Sequence, residues 1–127
     1  MKWLRLVFAV LLAIALVVCG GNFFLEFFEL PPGDGPAGPA LLQAMHDGGL
    51  MGAIAGSHVL VGVGLLIPRT WFVSGLLQLP ITIGIARFHA PMLPTGLVVT
   101  LVMLALNLGV IAEPARLRAL VAPPMKA

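Results

Sequence analysis

Charged side chains are scarce in this sequence. Only 9% of the 127 residues are charged, whereas 60% are hydrophobic, and ordinary soluble domains carry about a quarter charged residues. A chain of this composition cannot cover a water-facing surface, so the sequence predicts an integral membrane protein. The few basic residues are scattered and the net charge is only +2, which gives no sign of nucleic-acid binding.

Cysteine and the common catalytic motifs are also scarce or missing. The single cysteine, Cys19, excludes an intrachain disulfide and a metal site built of cysteines alone. His46, His58 and His89 come from separate segments without the spacing of a metal-ligand pair, so we expect no metal site. The sequence contains no H-x-x-x-H, C-x-x-C or nucleophile-elbow motif, and thus no signature of a catalyst.

Four apolar stretches are long enough, or nearly so, to cross a bilayer as helices, which takes about 20 residues. They cover residues 4–22, 50–67, 71–88 and 95–112. Helices are required because lipid offers the backbone no hydrogen-bond partner. We therefore predict an all-α fold, an integral membrane four-helix bundle with antiparallel helices, in a single domain over residues 1–127.

The first stretch also resembles a secretory or lipoprotein signal, with a basic start, an apolar run and then Cys19. Val17 and Val18 precede this cysteine and make a poor processing site, since cleavage prefers small residues. We expect a retained first span rather than a cleaved signal.

The connections between the spans differ in length. Residues 68–70 form a tight hairpin, while Pro91 and Pro94 are expected to stop the helix between the last two spans. The long connection covers residues 22–49, and its middle, residues 31–39, is too rich in proline and glycine for regular helix.

Lysine and arginine set the predicted orientation. With a cytoplasmic N-terminus, all but one of the 7 basic residues lie inside, namely Lys2, Arg5, Arg69, Arg116, Arg118 and Lys126. Only Arg87 then lies outside. The positive-inside rule predicts that both termini are cytoplasmic and that the long loop is periplasmic.

Small residues indicate where helices can approach closely. Gly52 and Gly56 form a G-x-x-x-G pair in the second span, where Gly62 and Gly64 follow. Gly75 and Gly84 lie in the third span and Gly109 in the fourth. We expect a compact bundle.

Polar side chains inside the spans are the candidate functional residues, because an ionisable group in lipid is a functional hypothesis by default. His58 lies in the second span, and Gln78, Thr82 and His89 form one stripe along the third. We predict a contact between His58 and Gln78 at similar depth. Alternatively the two are a satisfied structural pair, since such hydrogen bonds average about 0.6 kcal/mol.

A second candidate group lies at the predicted outer end of the bundle. Arg87 and His89 end the third span, and we expect them to meet Glu26 and Glu29 of the long loop. Alternatively, Arg87 extends to lipid headgroups and the segment FFLEFFEL forms an interfacial turn with its rings in lipid.

Three segments in order along the chain resemble the DoxX family of small four-span bacterial membrane proteins. They are GGNFFLEFFELPPGDGPAGPALLQAM, GSHVLVGVGLLIPRTW and LPITIGIARFHAPMLPTG. The similarity extends over nearly the whole chain and places Pro80, Phe88, His89 and Gly96 on family positions. Two residues depart from the family pattern: His58 stands where a glutamate is expected, and Asn22 where a lysine often occurs.

The resemblance implies a bacterial inner-membrane protein associated with a redox system, linked to quinone or to thiol oxidation. It suggests an accessory or anchoring subunit in which His58 and Gln78 contact quinone, rather than an enzyme in its own right. The alternatives are a non-catalytic scaffold or assembly factor and, third, a small oligomeric transporter or channel. Each implies membrane lipid and a protein partner or second copy as neighbours.

Overall fold

The computed structural model describes residues 2–29 and 36–121. Every regular element within these ranges is an α-helix, so the all-α prediction is confirmed. The six helices of this part are α1 (Lys2–Leu25), α2 (Gly38–Asp47), α3 (Leu50–Gly64), α4 (Trp71–Met92), α5 (Pro94–Ile111) and α6 (Pro114–Val121). The predictions for residues 31–35 and for Lys126 lie outside the described residues.

Three helices are long and apolar enough to cross a membrane. They are α1 with 24 residues, α4 with 22 and α5 with 18. The helix in the remaining predicted span, α3, has only 15 residues, about 22 Å at 1.5 Å per residue. The prediction of a helix over residues 50–67 is therefore too long.

The early end of α3 has a cause in the turn that follows it. The last carbonyls of a helix lack partners within the helix, and here those of Val61, Val63 and Gly64 accept from backbone N–H groups of the turn. The Thr70 hydroxyl shares its one proton between the carbonyls of Gly64 and Ile67, and the Trp71 indole N–H donates to that of Leu65 at 2.8 Å. These bonds stabilise a turn from residue 65 to 70 in place of further helix.

The prediction that Pro91 stops a helix is wrong, because α4 continues through it to Met92. A proline in the last turn removes only one backbone donor, a small loss compared with one in mid-helix. The chain leaves the helix at Leu93 (φ −150°, ψ 68°). Leu93 precedes Pro94, and the residue before a proline is driven out of the α region.

Two short helices of the structure lie outside the predicted spans. Helix α2 lies within the long loop and begins at Gly38, so the prediction of irregular backbone over residues 31–39 is wrong at its end. Pro39 fits there because the first turn needs no backbone donor. Helix α6 follows α5 after Ala112 and Glu113.

Helix packing depends on glycines, though not mainly on the predicted pair. Helix α1 packs on α3 and α5, and α4 packs on α5 and less extensively on α3. A Cβ at Gly20 would lie 2.6 Å from the Ala55 carbonyl oxygen, and one at Gly109 would lie 2.2 Å from the Phe8 ring. At Gly56, by contrast, no atom of a neighbouring helix in the described residues lies within 4 Å of an added Cβ, so the G-x-x-x-G motif marks no close helix contact at that position.

The apolar core lies along α1 and extends to α3 and α5. Its buried members are Ala9, Leu12, Ala13, Leu16, Val61, Leu65, Met103 and Val110. Many large apolar side chains face outward instead, including Leu60 (76% exposed) and Val98 (70%). An outward apolar surface on helices of this length is typical of membrane proteins, in which lipid covers that surface.

Candidate functional site

Polar side chains are buried along α3, α4 and α5. The buried members are His58 on α3, Ser74, Gln78 and Thr82 on α4, and Thr100 and Asn107 on α5. Other polar residues of the predicted spans are less buried: Ser57 is half-buried and Arg87 is exposed. We call the buried set the interior polar layer.

Gln78 and Thr82 bond to each other along one face of α4. The Gln78 Nε2 donates to the Thr82 hydroxyl at 3.1 Å. That hydroxyl donates in turn to the Gln78 backbone carbonyl, also at 3.1 Å. The Gln78 Oε1 has no hydrogen-bond partner among the described residues, although Gln78 is fully buried.

Asn107 joins α5 to α4 beside a proline. Pro80 has no N–H for the Leu76 carbonyl, and the atoms that Asn107 contacts belong to the neighbouring residues Gly75 and Leu79. With its amide oriented to satisfy its surroundings, Asn107 donates to the Gly75 carbonyl at 2.9 Å and accepts from the Leu79 N–H at 3.2 Å. Sequence reasoning missed this link, and the signal for it was an asparagine in the span that follows a proline-containing one.

His58 is buried but unpaired. It is only 6% exposed, and its Nε2 has no hydrogen-bond partner among the described residues. It packs toward α1 where Gly20 allows close approach, since a Cβ at Gly20 would lie 2.9 Å from the His58 Cβ. An imidazole nitrogen at such a position donates or accepts according to the tautomer.

No hydrogen bond joins His58 to Gln78 within the described residues. Both His58 Nε2 and Gln78 Oε1 lack partners, so they are not bonded to each other. The two residues do lie at matching positions along the α3–α4 hairpin, one before and one after the turn of residues 65–70. The interior polar layer therefore holds two unsatisfied atoms, and such atoms are costly to bury in an apolar environment.

The second predicted group does not come together. Glu26, Glu29 and Arg87 are exposed, and none of them forms an ion pair within the described residues. His89 packs its ring against Gly96, where a Cβ would lie 2.8 Å from the ring, and its buried Nδ1 is unpaired. The chain after α1 forms a local turn of its own.

Asn22 holds that turn. Its Nδ2 donates to the Phe28 carbonyl at 3.0 Å and its Oδ1 accepts from the Phe28 N–H at 2.9 Å. Glu26 has φ 50°, the left-handed conformation that reverses the chain at many helix ends. Asn22, singled out in the sequence only because a lysine often occurs at that position in the DoxX family, thus stabilises the turn after α1. Sequence reasoning missed this structural role.

Arg5 joins the first turn of α1 to the last turn of α5. Its Nε and Nη2 donate to the Val110 carbonyl at 3.2 and 3.0 Å, and Nη2 lies 3.0 Å from a Glu113 carboxylate oxygen. Arginine near a helix C-terminus satisfies its free carbonyls and complements its dipole. The guanidinium also lies 5.9 Å from the centre of the Trp71 ring.

Arg116 completes this cluster from α6. Its Nε lies 3.2 Å from Glu113, and its guanidinium lies 5.7 Å from the centre of the Phe72 ring. We call Arg5, Trp71, Phe72, Glu113 and Arg116 the arginine cluster. Sequence reasoning placed its charges on one side of the membrane but missed the pairing, which depends on contacts between distant segments.

An open apolar groove of about 460 Å³ runs beside the seam between α1 and α3. Its lining residues are Val17, Val18, Gly21, Phe24, Leu25, Phe27 and Val59. Gly21 and Val59 are the chain neighbours of Gly20 and His58, so the groove follows the same seam as the buried histidine. Nothing in its lining could carry out acid–base chemistry, and its apolar character suits a hydrocarbon chain.

The three histidines do not converge on a metal site. His46 lies exposed on α2, with its ring centre 5.7 Å from that of Phe23, far along the chain from His58 and His89. Within the described residues, no group of three histidine, cysteine, aspartate or glutamate side chains is arranged to hold a metal ion. Cys19 is exposed.

No family model matches the chain, and comparison with curated proteins and with solved structures gives no match either.

Proposed function

We propose that this chain is a DoxX-like protein of the bacterial inner membrane that serves as an accessory or anchoring subunit of a quinone- or thiol-linked redox system. It crosses the membrane four times as an antiparallel bundle with both termini in the cytoplasm. The observation that carries the proposal is the pair of unpartnered buried atoms, His58 Nε2 and Gln78 Oε1.

The topology draws support from the arginine cluster. A contact between Arg5 and Glu113 requires that α1 begins and α5 ends on the same side of the bundle. An even number of crossings has this property, so α3 is counted as a span despite its length. The exposed apolar side chains of Leu66 and Ile67, in the turn after α3, lengthen its apolar surface.

The charge distribution gives the direction. The end that holds Arg5 and Glu113 also carries other basic residues of the described part, namely Lys2, Arg69, Arg116 and Arg118. Only Arg87 lies toward the opposite end of α4. An excess of lysine and arginine on one side marks the cytoplasmic side.

The quinone contact draws support from the chemistry of the two unpaired atoms. A quinone presents carbonyl acceptors and a quinol presents hydroxyl donors. The His58 Nε2–H tautomer would donate to a carbonyl, and the Gln78 carbonyl oxygen would accept from a hydroxyl. The apolar groove beside the α1–α3 seam fits an isoprenoid tail. A bound quinone would supply electron transfer, while this chain's residues bind and orient its polar head.

The test is the quinone content of the protein purified in native-lipid nanodiscs. We expect more quinone per lipid than in bulk membrane, and we expect His58→Leu to reduce it to the bulk ratio. His46→Leu is the matched control, because His46 is an exposed histidine outside the polar layer, and it should retain the bound quinone. A wild-type protein with quinone at the bulk ratio would contradict the proposal.

A second candidate function is that of a non-catalytic scaffold or assembly factor. One observation favours it: within the described residues, Gly56 and Gly84 face open space, whereas neighbouring helices occupy the space beside several other glycines. Small residues on an outward face allow a partner helix to approach closely. Co-purification of a membrane partner that survives His58→Leu but is lost in Gly56→Leu would support this function over quinone contact.

A further inference from the structure

Helix α6 has two distinct faces. Leu117, Leu120 and Val121 recur at the spacing that places residues on one side of a helix, and all three are exposed. At roughly 100° per residue, Arg116 and Arg118 flank this apolar face on either side. An eight-residue helix with an apolar stripe bordered by arginines has the pattern of a helix that lies in a membrane interface.

The position of α6 along the chain favours the same environment. Only Ala112 and Glu113 separate it from the end of α5, so α6 begins at the depth where α5 leaves the membrane. Arg116 fixes its first turn through Glu113 and the Phe72 ring. The apolar face of α6 packs on no helix in the described residues, since every residue of α6 is exposed.

The charges at this end select the kind of lipid. The described residues there include five cations, Lys2, Arg5, Arg69, Arg116 and Arg118, against the single anion Glu113. Arg5 and Arg116 are already paired with Glu113. Arg118 forms no ion pair with an acid in residues 2–29 or 36–121. Its charge is therefore free for an anionic headgroup.

We propose that α6 is an interfacial helix that inserts Leu117, Leu120 and Val121 into the cytoplasmic leaflet and binds an anionic phospholipid headgroup through Arg118. This inference rests on the proposed membrane topology but not on quinone contact. Arginine provides planar donors that match phosphate oxygens. Such a site would make the fraction of α6 that is embedded in the membrane depend on the content of anionic lipid.

The experiment uses the full chain with Cys19→Ser, which removes the one native cysteine, so that new cysteines carry a unique NBD fluorophore. Labels are placed at Leu120→Cys on the apolar face and at Ala119→Cys, its matched control on the opposite face. The protein is reconstituted in phosphatidylcholine vesicles with and without phosphatidylglycerol, and nitroxide-labelled lipid serves as quencher.

We expect strong quenching at position 120, weak quenching at 119, and a rise at 120 when phosphatidylglycerol is present. Arg118→Gln should lower the ratio of embedded to water-exposed α6 about fivefold in the anionic vesicles, which corresponds to about 1 kcal/mol. The same change should have no effect in phosphatidylcholine alone. Arg87→Gln, at the far end of α4, should have no effect in either vesicle.

Equal quenching at positions 119 and 120, or quenching at 120 that does not respond to phosphatidylglycerol, would overturn the inference. A third label at Leu108→Cys on α5, where the native side chain is exposed, separates this failure from that of the topology. Quenching at 108 without quenching at 120 refutes only the α6 site. No quenching at 108 refutes the membrane placement of α5 and the α6 site with it.

Discussion

The arginine cluster and the interior polar layer differ in how many of their polar atoms have bonding partners. In the cluster, Arg5 bonds to the Val110 carbonyl and to Glu113, and Arg116 adds a second ion pair to Glu113. In the layer, Asn107 and Thr82 are bonded, but His58 Nε2 and Gln78 Oε1 are not. A fully paired set stabilises the fold, whereas unpaired buried atoms reduce stability and point to a ligand.

The largest expected effect comes from forcing α1 and α3 apart at His58. In Gly20→Val the added Cβ would lie only 2.6 Å from the Ala55 carbonyl oxygen. This oxygen belongs to the backbone, which cannot move aside as easily as the end of a flexible side chain. We expect a loss of about 3 kcal/mol in the free energy of unfolding, measured by SDS titration in mixed micelles. Gly56→Val, with open space around it, should change stability by less than about 1 kcal/mol. Equal losses in the two variants would refute this packing.

The next effect tests a paired member of the interior polar layer. Asn107→Leu keeps the side-chain size but removes the two hydrogen bonds by which α5 contacts the Gly75 carbonyl and the Leu79 N–H of α4. We expect a loss of about 2 kcal/mol in the same titration. Thr100→Val is the matched control on α5, because Thr100 bonds only to the Gly96 carbonyl of its own helix, and it should lose about 0.6 kcal/mol. A smaller loss for Asn107→Leu than for the control would contradict the bridge to α4.

A smaller effect is expected at the arginine cluster, which is partly exposed to solvent. Arg5→Gln removes the ion pair to Glu113 and weakens the contact with the Val110 carbonyl. We expect a loss of about 1 kcal/mol, since partly exposed ion pairs contribute little. The loss should shrink at high ionic strength. Arg87→Gln, which removes an exposed arginine with no ion pair in the described residues, should leave stability unchanged at any salt concentration.

The smallest effect on stability is expected where the polar atom has no partner. His58→Leu removes an unsatisfied buried group, and replacing such a group with an apolar one is nearly neutral or stabilising. In detergent without quinone, the unfolding free energy should fall by less than about 0.5 kcal/mol or should rise. A loss as large as that of Asn107→Leu would mean that His58 has a structural partner, and the contrast between the two regions would disappear.

The long helices could be predicted from the sequence because their signal is local. An apolar run long enough to span a membrane defines α1, α4 and α5 almost regardless of context. The end of α3 could not be predicted in this way, since it depends on Thr70 and Trp71 bonding to carbonyls behind them. Helix α6 was missed because eight residues with two arginines give no span signal.

The membership of the candidate site was predictable only in part, and its bonding was not. His58, Gln78 and Thr82 are buried as members of the interior polar layer, whereas Glu26, Glu29 and Arg87 are exposed. Apolar surroundings indicated that His58, Gln78 and Thr82 turn inward. Which atoms find partners depends on distances between helices, and a sequence contains no such distances. Within the described residues Glu26 and Arg87 form no ion pair, and Asn22 and Phe28 close a local turn after α1.

The central claim is that His58 Nε2 and Gln78 Oε1, which have no partner among the described residues, bind a ligand. An experimental density map of the protein in native-lipid nanodiscs tests this most directly. The account predicts non-protein density within hydrogen-bonding distance of both atoms. A direct bond between His58 and Gln78, or a bond from either to another side chain with no such density, would contradict it.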